Sequence, residues 1–222
     1  MSVLWQNAPA ISLFNGCFDG ITTVAEAKEH GNLGVGAFDH LDGEMVMVDG
    51  VVYRMHSDSS AQVAPDTDTL AFCMVIPFEP ELSADLPDDT TTGDIGGLVA
   101  DLAGTSNLFV AFRLHGTFGH LHTRSVPRQD LPYPRLEEVE HIQPEYHYTD
   151  VSGLMVGFSA PSYAGKIAPG GFHLHVVDDA RTLGGHVIDF QDGRDLRIEI
   201  QRIARHEVDY PSTADFTTRE LT

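Results

Sequence analysis

A chain of 222 residues with a hydrophobic fraction of 42% is long enough for one large domain, or for two small ones sharing a core. Its formal net charge is −20, and Lys28 and Lys166 are its only lysines. Such a surface repels nucleic acid and anionic membranes, because both require a basic footprint.

Residues 1–15 lack a basic flank and a long apolar core, so neither an export signal nor a membrane span is expected there. Residues 1–20 read as a loose arm with Leu13, Phe14 and Phe18 available to pack. Cys17 and Cys73 form no paired motif, which fits two free thiols in a reducing, cytoplasmic setting. Thr23-Val24-Ala25-Glu26 has capping-box spacing and should open a short helix ending near Gly31. Residues 33–38 read as a strand. Asp42-Gly43 and Asp49-Gly50 flank the apolar run 45–48, and 51–55 follows, which is a hairpin signal with Glu44 at its mouth. By itself Glu44 reads as a solvated turn carboxylate.

Residues 70–77 read as a buried strand, and 80–94, rich in Pro, Asp and Thr, as an exposed connection. A helix is expected over 95–103, ended by Gly104. A strand over 108–114 should turn through His115-Gly116 into a neighbour over 117–122. Three prolines keep 127–134 extended. Residues 135–143 repeat apolar side chains at helical spacing until Pro144. Four strands in succession are expected over 153–159, 171–177, 186–190 and 196–203. The fold class is therefore α+β, with a mixed-sheet N-terminal lobe (1–125) and a mainly antiparallel sheet or small barrel as the C-terminal lobe (126–222), sharing a core.

The chemistry concentrates late in the chain. His173 and His175 are two apart in a strand-like run, so both imidazoles point to one face. His186 follows Gly184-Gly185, at a distance that lets a second strand turn back alongside the first. Three imidazoles on adjacent strands suit zinc with an open coordination position. His120 and His122 form another His-x-His, but no third histidine follows at hairpin distance. There is no glycine motif of the kind that cradles a dinucleotide or phosphate.

The stretch from Gly170 to Asp189 resembles the metal-binding signature of the acetolactate decarboxylases. Two more blocks agree, in the family's order. One is Leu41-Asp42-Gly43-Glu44 with Asp49-Gly50 and Tyr53. The other runs from Gly116-Thr117-Phe118 through Thr123-Arg124-Ser125-Val126-Pro127 and Pro132-Tyr133-Pro134 to Gln143-Pro144-Glu145. The similarity covers roughly residues 20–200. It implies two β-rich lobes with zinc between them, a homodimer, and acetolactate as substrate. It implies zinc ligands at His173, His175, His186 and Glu44, with Glu44 and Arg124 catalytic. A further family glutamate near the C-terminus has no clear counterpart; Glu207 and Glu220 are the late candidates, and the role can be absent.

Acetolactate is a branched 2-hydroxy-3-oxo acid, and losing its carboxylate leaves an electron pair beside the ketone. A divalent cation can absorb that charge, so no organic cofactor is required. Arg124 offers a planar fork for the substrate carboxylate. A positioned donor must then protonate one face. Two other readings compete. A cupin-like oxygenase or isomerase would add Asp178 or Asp179 to the histidines and hold iron or manganese. A non-enzymatic module would hold a closed, inert metal or none.

Overall fold

The structure, a computed structural model, describes residues 2–222. The chain runs β1 (Leu4–Gln6), α1 (Ala10–Phe14), β2 (Thr22–Thr23), α2 (Val24–Glu29), β3 (Leu33–Phe38), β4 (Glu44–Val48), β5 (Val51–Met55), β6 (Ala61–Val63) and β7 (Thr69–Ile76). It continues β8 (Leu82–Asp85), α3 (Thr92–Ala103), β9 (Phe109–Arg124), α4 (Leu136–Glu140), β10 (Glu145–Ala160), β11 (Gly171–Asp178), β12 (Gly184–Ile203), β13 (His206–Val208) and α5 (Ala214–Thr218). No helix among the described residues is long and apolar enough to cross a membrane.

The first sheet has the order β13-β1-β7-β3-β4-β5-β6, with β2 on β7. It is mixed because β1 pairs with β13 in parallel. The Asp49-Gly50 turn forms as the sequence suggests: both residues take positive φ, 50° and 78°, the backbone a tight hairpin needs. α2 carries the full capping box, Thr23 accepting from the Glu26 N–H while the Glu26 side chain returns to Thr23. α3 ends at Gly104 in the left-handed conformation (φ 72°).

The second sheet has the order β11-β10-β9-β12-β8 and is antiparallel. β11 also pairs with the first residues of β12, so β11, β10, β9 and β12 close a ring. Gly184-Gly185 makes this closure possible. There β12 lies between β11 and the end of β9, and a Cβ on Gly185 would sit 2.7 Å from the Arg124 carbonyl oxygen. A Cβ on Gly184 would press into the Val176 carbonyl and lie 2.6 Å from Met55 Sδ. Gly184→Ala should therefore cost about 1–3 kcal/mol as an overpacked site. The check is the shift in the denaturant midpoint; an unchanged midpoint would mean the backbone yields freely there.

Several expectations change. Residues 109–124 make one continuous strand, not a hairpin at His115-Gly116. The Gly116 backbone (φ 157°) is close to extended, and the irregularity falls opposite it, between Arg194 and Arg197 on β12. Likewise 186–190 and 196–203 are parts of the single strand β12, and β10 begins at Glu145 instead of Gly153. The helix expected over 135–143 shortens to α4, where only Val139 is buried; Ile142, 63% exposed, has nothing to pack on. The N-terminal arm is ordered as β1 and α1. The sheets also do not divide at residue 125, since β8 and β9 belong to the second sheet and β13 returns to the first.

The largest apolar cluster joins the inner faces of both sheets, with Val46 and Phe72 against Val156, Phe158 and Val177. Each fully buried side chain of this size contributes about 1.5–3 kcal/mol, so the shared core locks the sheets into one body. α3 covers the far face of the second sheet through Ile95 and Val99. Trp5, Val24 and Ala27 cover Met45 and Met47 on the far face of the first.

Candidate metal centre

β11 alternates strictly. Leu174 and Val176 point to the α3 side, while His173, His175 and Val177 point to the other, where Val177 joins the inter-sheet core. Register does the rest: His186 of β12 lies directly opposite both His175 of β11 and Arg124 of β9. Cross-strand partners share a face, so one row carries Arg124, His186 and His175, with His173 two residues along. The three imidazole centroids are 4.7, 5.1 and 5.2 Å apart.

Glu44 arrives from the other sheet. The His175 Nδ1–H donates to the Met45 carbonyl at 2.8 Å, docking β11 against the start of β4. This leaves Glu44 Oε2 3.7 Å from His175 Nε2. Two buried serines tie the sheets together around this point. Ser125 Oγ donates to the Met55 carbonyl at 3.0 Å, and Ser59 Oγ donates to the Gly184 carbonyl at 2.6 Å. Met55 is the register partner of Glu44, so the first of these bonds brings the end of β9, with Arg124, beside Glu44. The turn before β4 is braced as well: Tyr133 O–H donates to Asp19 at 2.7 Å and meets His40, and the Gly20 N–H donates to Asp39 at 2.6 Å.

The electrostatics suit a cation. Burial, reinforced by Arg124, pushes His173 down to about 4. Burial, then the neighbouring imidazoles, holds His175 and His186 well below the ordinary range. All three are therefore neutral near pH 7, which is the form that ligates. The Nε2 atoms of His173 and His175 lie 3.1 Å apart, and the buried Nδ1 of His173 has no hydrogen-bond partner among the described residues. Because His175 spends its ring proton on Met45, its Nε2 presents a lone pair toward His173. A metal ion uses such converging lone pairs, and nitrogens about 3.4 Å apart fit tetrahedral zinc bonds of ~2.1 Å. The donor set thus fits a transition metal. Burial raises Glu44 to about 7, against the opposing pull of Arg124 and a hydrogen bond from the Val126 N–H. A dication beside it would favour its carboxylate.

A cleft opens over this cluster. Its polar wall is Glu44, Arg124, Glu140, Gln143, His173 and His186; its apolar wall includes Leu13, Phe14, Leu41, Phe72, Val126 and Phe172. Arg124 Nη2 lies 3.5 Å from His186 Nε2 and 3.6 Å from Glu140 Oε1. From sequence, Leu13 and Phe14 of α1 read only as packing residues, and Glu140 resembles any solvated helix carboxylate beside Glu137 and Glu138. Glu207 lies on β13, 3.3 Å from Arg205, and Glu220 is exposed; neither lines the cleft. Asp178 caps its own hairpin by accepting from the Thr182 and Leu183 N–H groups at 2.7 and 3.0 Å, and Asp179 pairs with His115 at 3.1 Å. The cupin reading therefore lacks its carboxylate.

Comparison with known proteins agrees with the architecture. The structure superposes on the crystal structure of alpha-acetolactate decarboxylase from Bacillus subtilis strain 168 with a TM-score of 0.94 and 34% identity, covering 98% of this chain and 93% of that one. Alpha-acetolactate decarboxylases of Bacillus licheniformis and Methylococcus capsulatus are each 35% identical, over 96% and 98% of this chain and 84% of each relative. Fold and relatives together define a carboxy-lyase. The family profile described as alpha-acetolactate decarboxylase matches residues 4–222, and the chain belongs to that family.

Proposed function

We propose that the protein decarboxylates 2-acetolactate to acetoin and carbon dioxide, with zinc held by His173, His175 and His186 and completed by Glu44. The observation that carries this reading is the single row that sets Arg124 beside three neutral imidazoles, of which His173 and His186 line the cleft and His175 lies buried behind them. Three nitrogens, one carboxylate and an open direction form a zinc-type ligand set. Zinc bound there supplies Lewis-acid stabilisation of the charge that develops on the substrate's ketone and hydroxyl oxygens.

The chain's own residues do the remainder. Arg124 meets the substrate carboxylate with a fixed two-pronged donor, which so acidic a protein must provide locally. Phe72 and Leu41, both buried, exclude water around the reacting carbon. Arg124 lies on one side of the cleft, so a substrate oriented by it presents one face of the reacting carbon to a positioned proton donor. Glu44 offsets the cation's charge, held by the Val126 N–H. The family reading also carries a cytoplasmic homodimer and a place in acetoin formation ahead of butanediol.

Incubating the zinc-loaded protein with racemic acetolactate tests the reaction. Acetoin and carbon dioxide should appear in equal amounts without oxygen uptake; acetoin at the blank rate would reject the assignment. Glu44→Gln keeps the shape and removes the charge. It should weaken zinc binding or activity about 10–100-fold, read by metal titration and turnover.

A further inference from the structure

The second His-x-His, His120 and His122, lies outside the cleft. The fold supplies what the local sequence lacks there, because the register sets His122 opposite His147 of β10 and opposite Asp189 of β12. These three side chains form one row across three strands, on one face of the sheet. Glu145, two residues before His147 and so on the same side, places its Oε2 2.9 Å from His122 Nε2. The His122 and His147 rings stack at 4.0 Å with 19° between their planes. One ligand atom from each of His122, Glu145 and His147 lies within 4.8 Å of the others. His122 and His147 face an open trough also lined by His120, Asp189 and Gln191.

We propose that His122, His147 and Glu145 form a second site for a divalent transition metal ion of the zinc class, separate from the cleft. Two imidazoles and one carboxylate, with room for water, make an open zinc-type ligand set. Donors about 3.4 Å apart are needed, and His147 and Glu145 are exposed, so their side chains are free to rotate inward. Asp189 adds negative charge beside the site, and Asp192 lies 3.5 Å from His120. The other histidine–carboxylate cluster, Asp19, Asp39 and His40, differs. Its polar atoms are already engaged by Tyr133 and the Gly20 N–H, so it braces a turn. Because the second site is exposed and uses fewer imidazoles than the cleft, it should bind metal more weakly. It would tie β9 to β10 two residues from Arg124, taking up Glu145, the cross-strand neighbour of Arg124.

The test is zinc stoichiometry by equilibrium dialysis of the chelator-treated full chain, with elemental analysis. The wild type should take up one equivalent tightly and a second more weakly. His122→Ala/His147→Ala should lose only the weaker equivalent and keep its acetoin-forming activity. His175→Ala should lose only the tighter one, which separates failure of this proposal from failure of the cleft assignment. Glu145→Gln serves as a milder variant, expected to weaken the second equivalent about tenfold or more. Equal stoichiometry and affinity in the wild type and the double variant would overturn the proposal.

Discussion

Replacing His175 by alanine is expected to strip the tightly bound zinc and to slow acetoin formation by about a thousandfold. His175 is the most enclosed of the three imidazoles, fully buried, and its Nδ1–H is fixed on the Met45 carbonyl. Its Nε2 is thereby aimed at the ion position before any metal arrives, which is the pre-set orientation that ligating histidines obtain from an outer hydrogen bond. Lewis-acid stabilisation is worth several kcal/mol; about 4 kcal/mol corresponds to three powers of ten in rate. The substitution also empties a core position, at about 2–4 kcal/mol of stability. His186→Ala, at a partly exposed position, is the companion variant that separates metal loss from unfolding. Elemental analysis and turnover on the same preparations provide the check. Full zinc occupancy in both variants would place the metal elsewhere.

Arg124→Ala should retain zinc and still lose tens- to thousands-fold in turnover. The guanidinium stands over the cluster, 3.5 Å from His186 Nε2, and faces Glu140 across the cleft mouth at 3.6 Å. An anionic substrate entering a chain of net charge −20 passes carboxylates on the way in, and Arg124 is the cationic side chain of the cleft wall. Truncating a charged hydrogen-bonding partner costs on the order of 2–5 kcal/mol, which sets the range in rate. Arg124→Lys keeps the charge but not the fork, and should recover only part of the loss. Turnover within about threefold of the parent at saturating zinc would reduce Arg124 to an ion-pair partner of Glu140.

How much of this was legible in the sequence depends on the range of the interactions involved. His173, His175 and His186 stand out because strand alternation and a double glycine are local signals, and β11 and β12 are adjacent in the chain. Glu44 and Arg124 reach the same place from β4 and β9, through a register and the inter-sheet hydrogen bonds of His175 to Met45 and Ser125 to Met55, which no local pattern encodes. Only the family resemblance points to them. Glu140 escapes both routes, because a carboxylate on a short exposed helix looks the same whether it faces bulk water or an arginine. The misread turn at Gly116 has a related cause: glycine marks a tight turn and a flat, irregular stretch of a long strand alike. The pairing of His122 with His147 is likewise a product of register, and a search confined to downstream histidines at hairpin distance passes over it.

Anomalous diffraction at the zinc edge, on crystals of the zinc-loaded protein, tests the central claim most directly. The account predicts the strongest peak between β11, β12 and the start of β4, about 2.0–2.1 Å from a ring nitrogen of each of His173, His175 and His186, with a Glu44 oxygen at about 2.0–2.2 Å. A strongest peak away from these three rings, or a Glu44 carboxylate turned away from the metal, would contradict it.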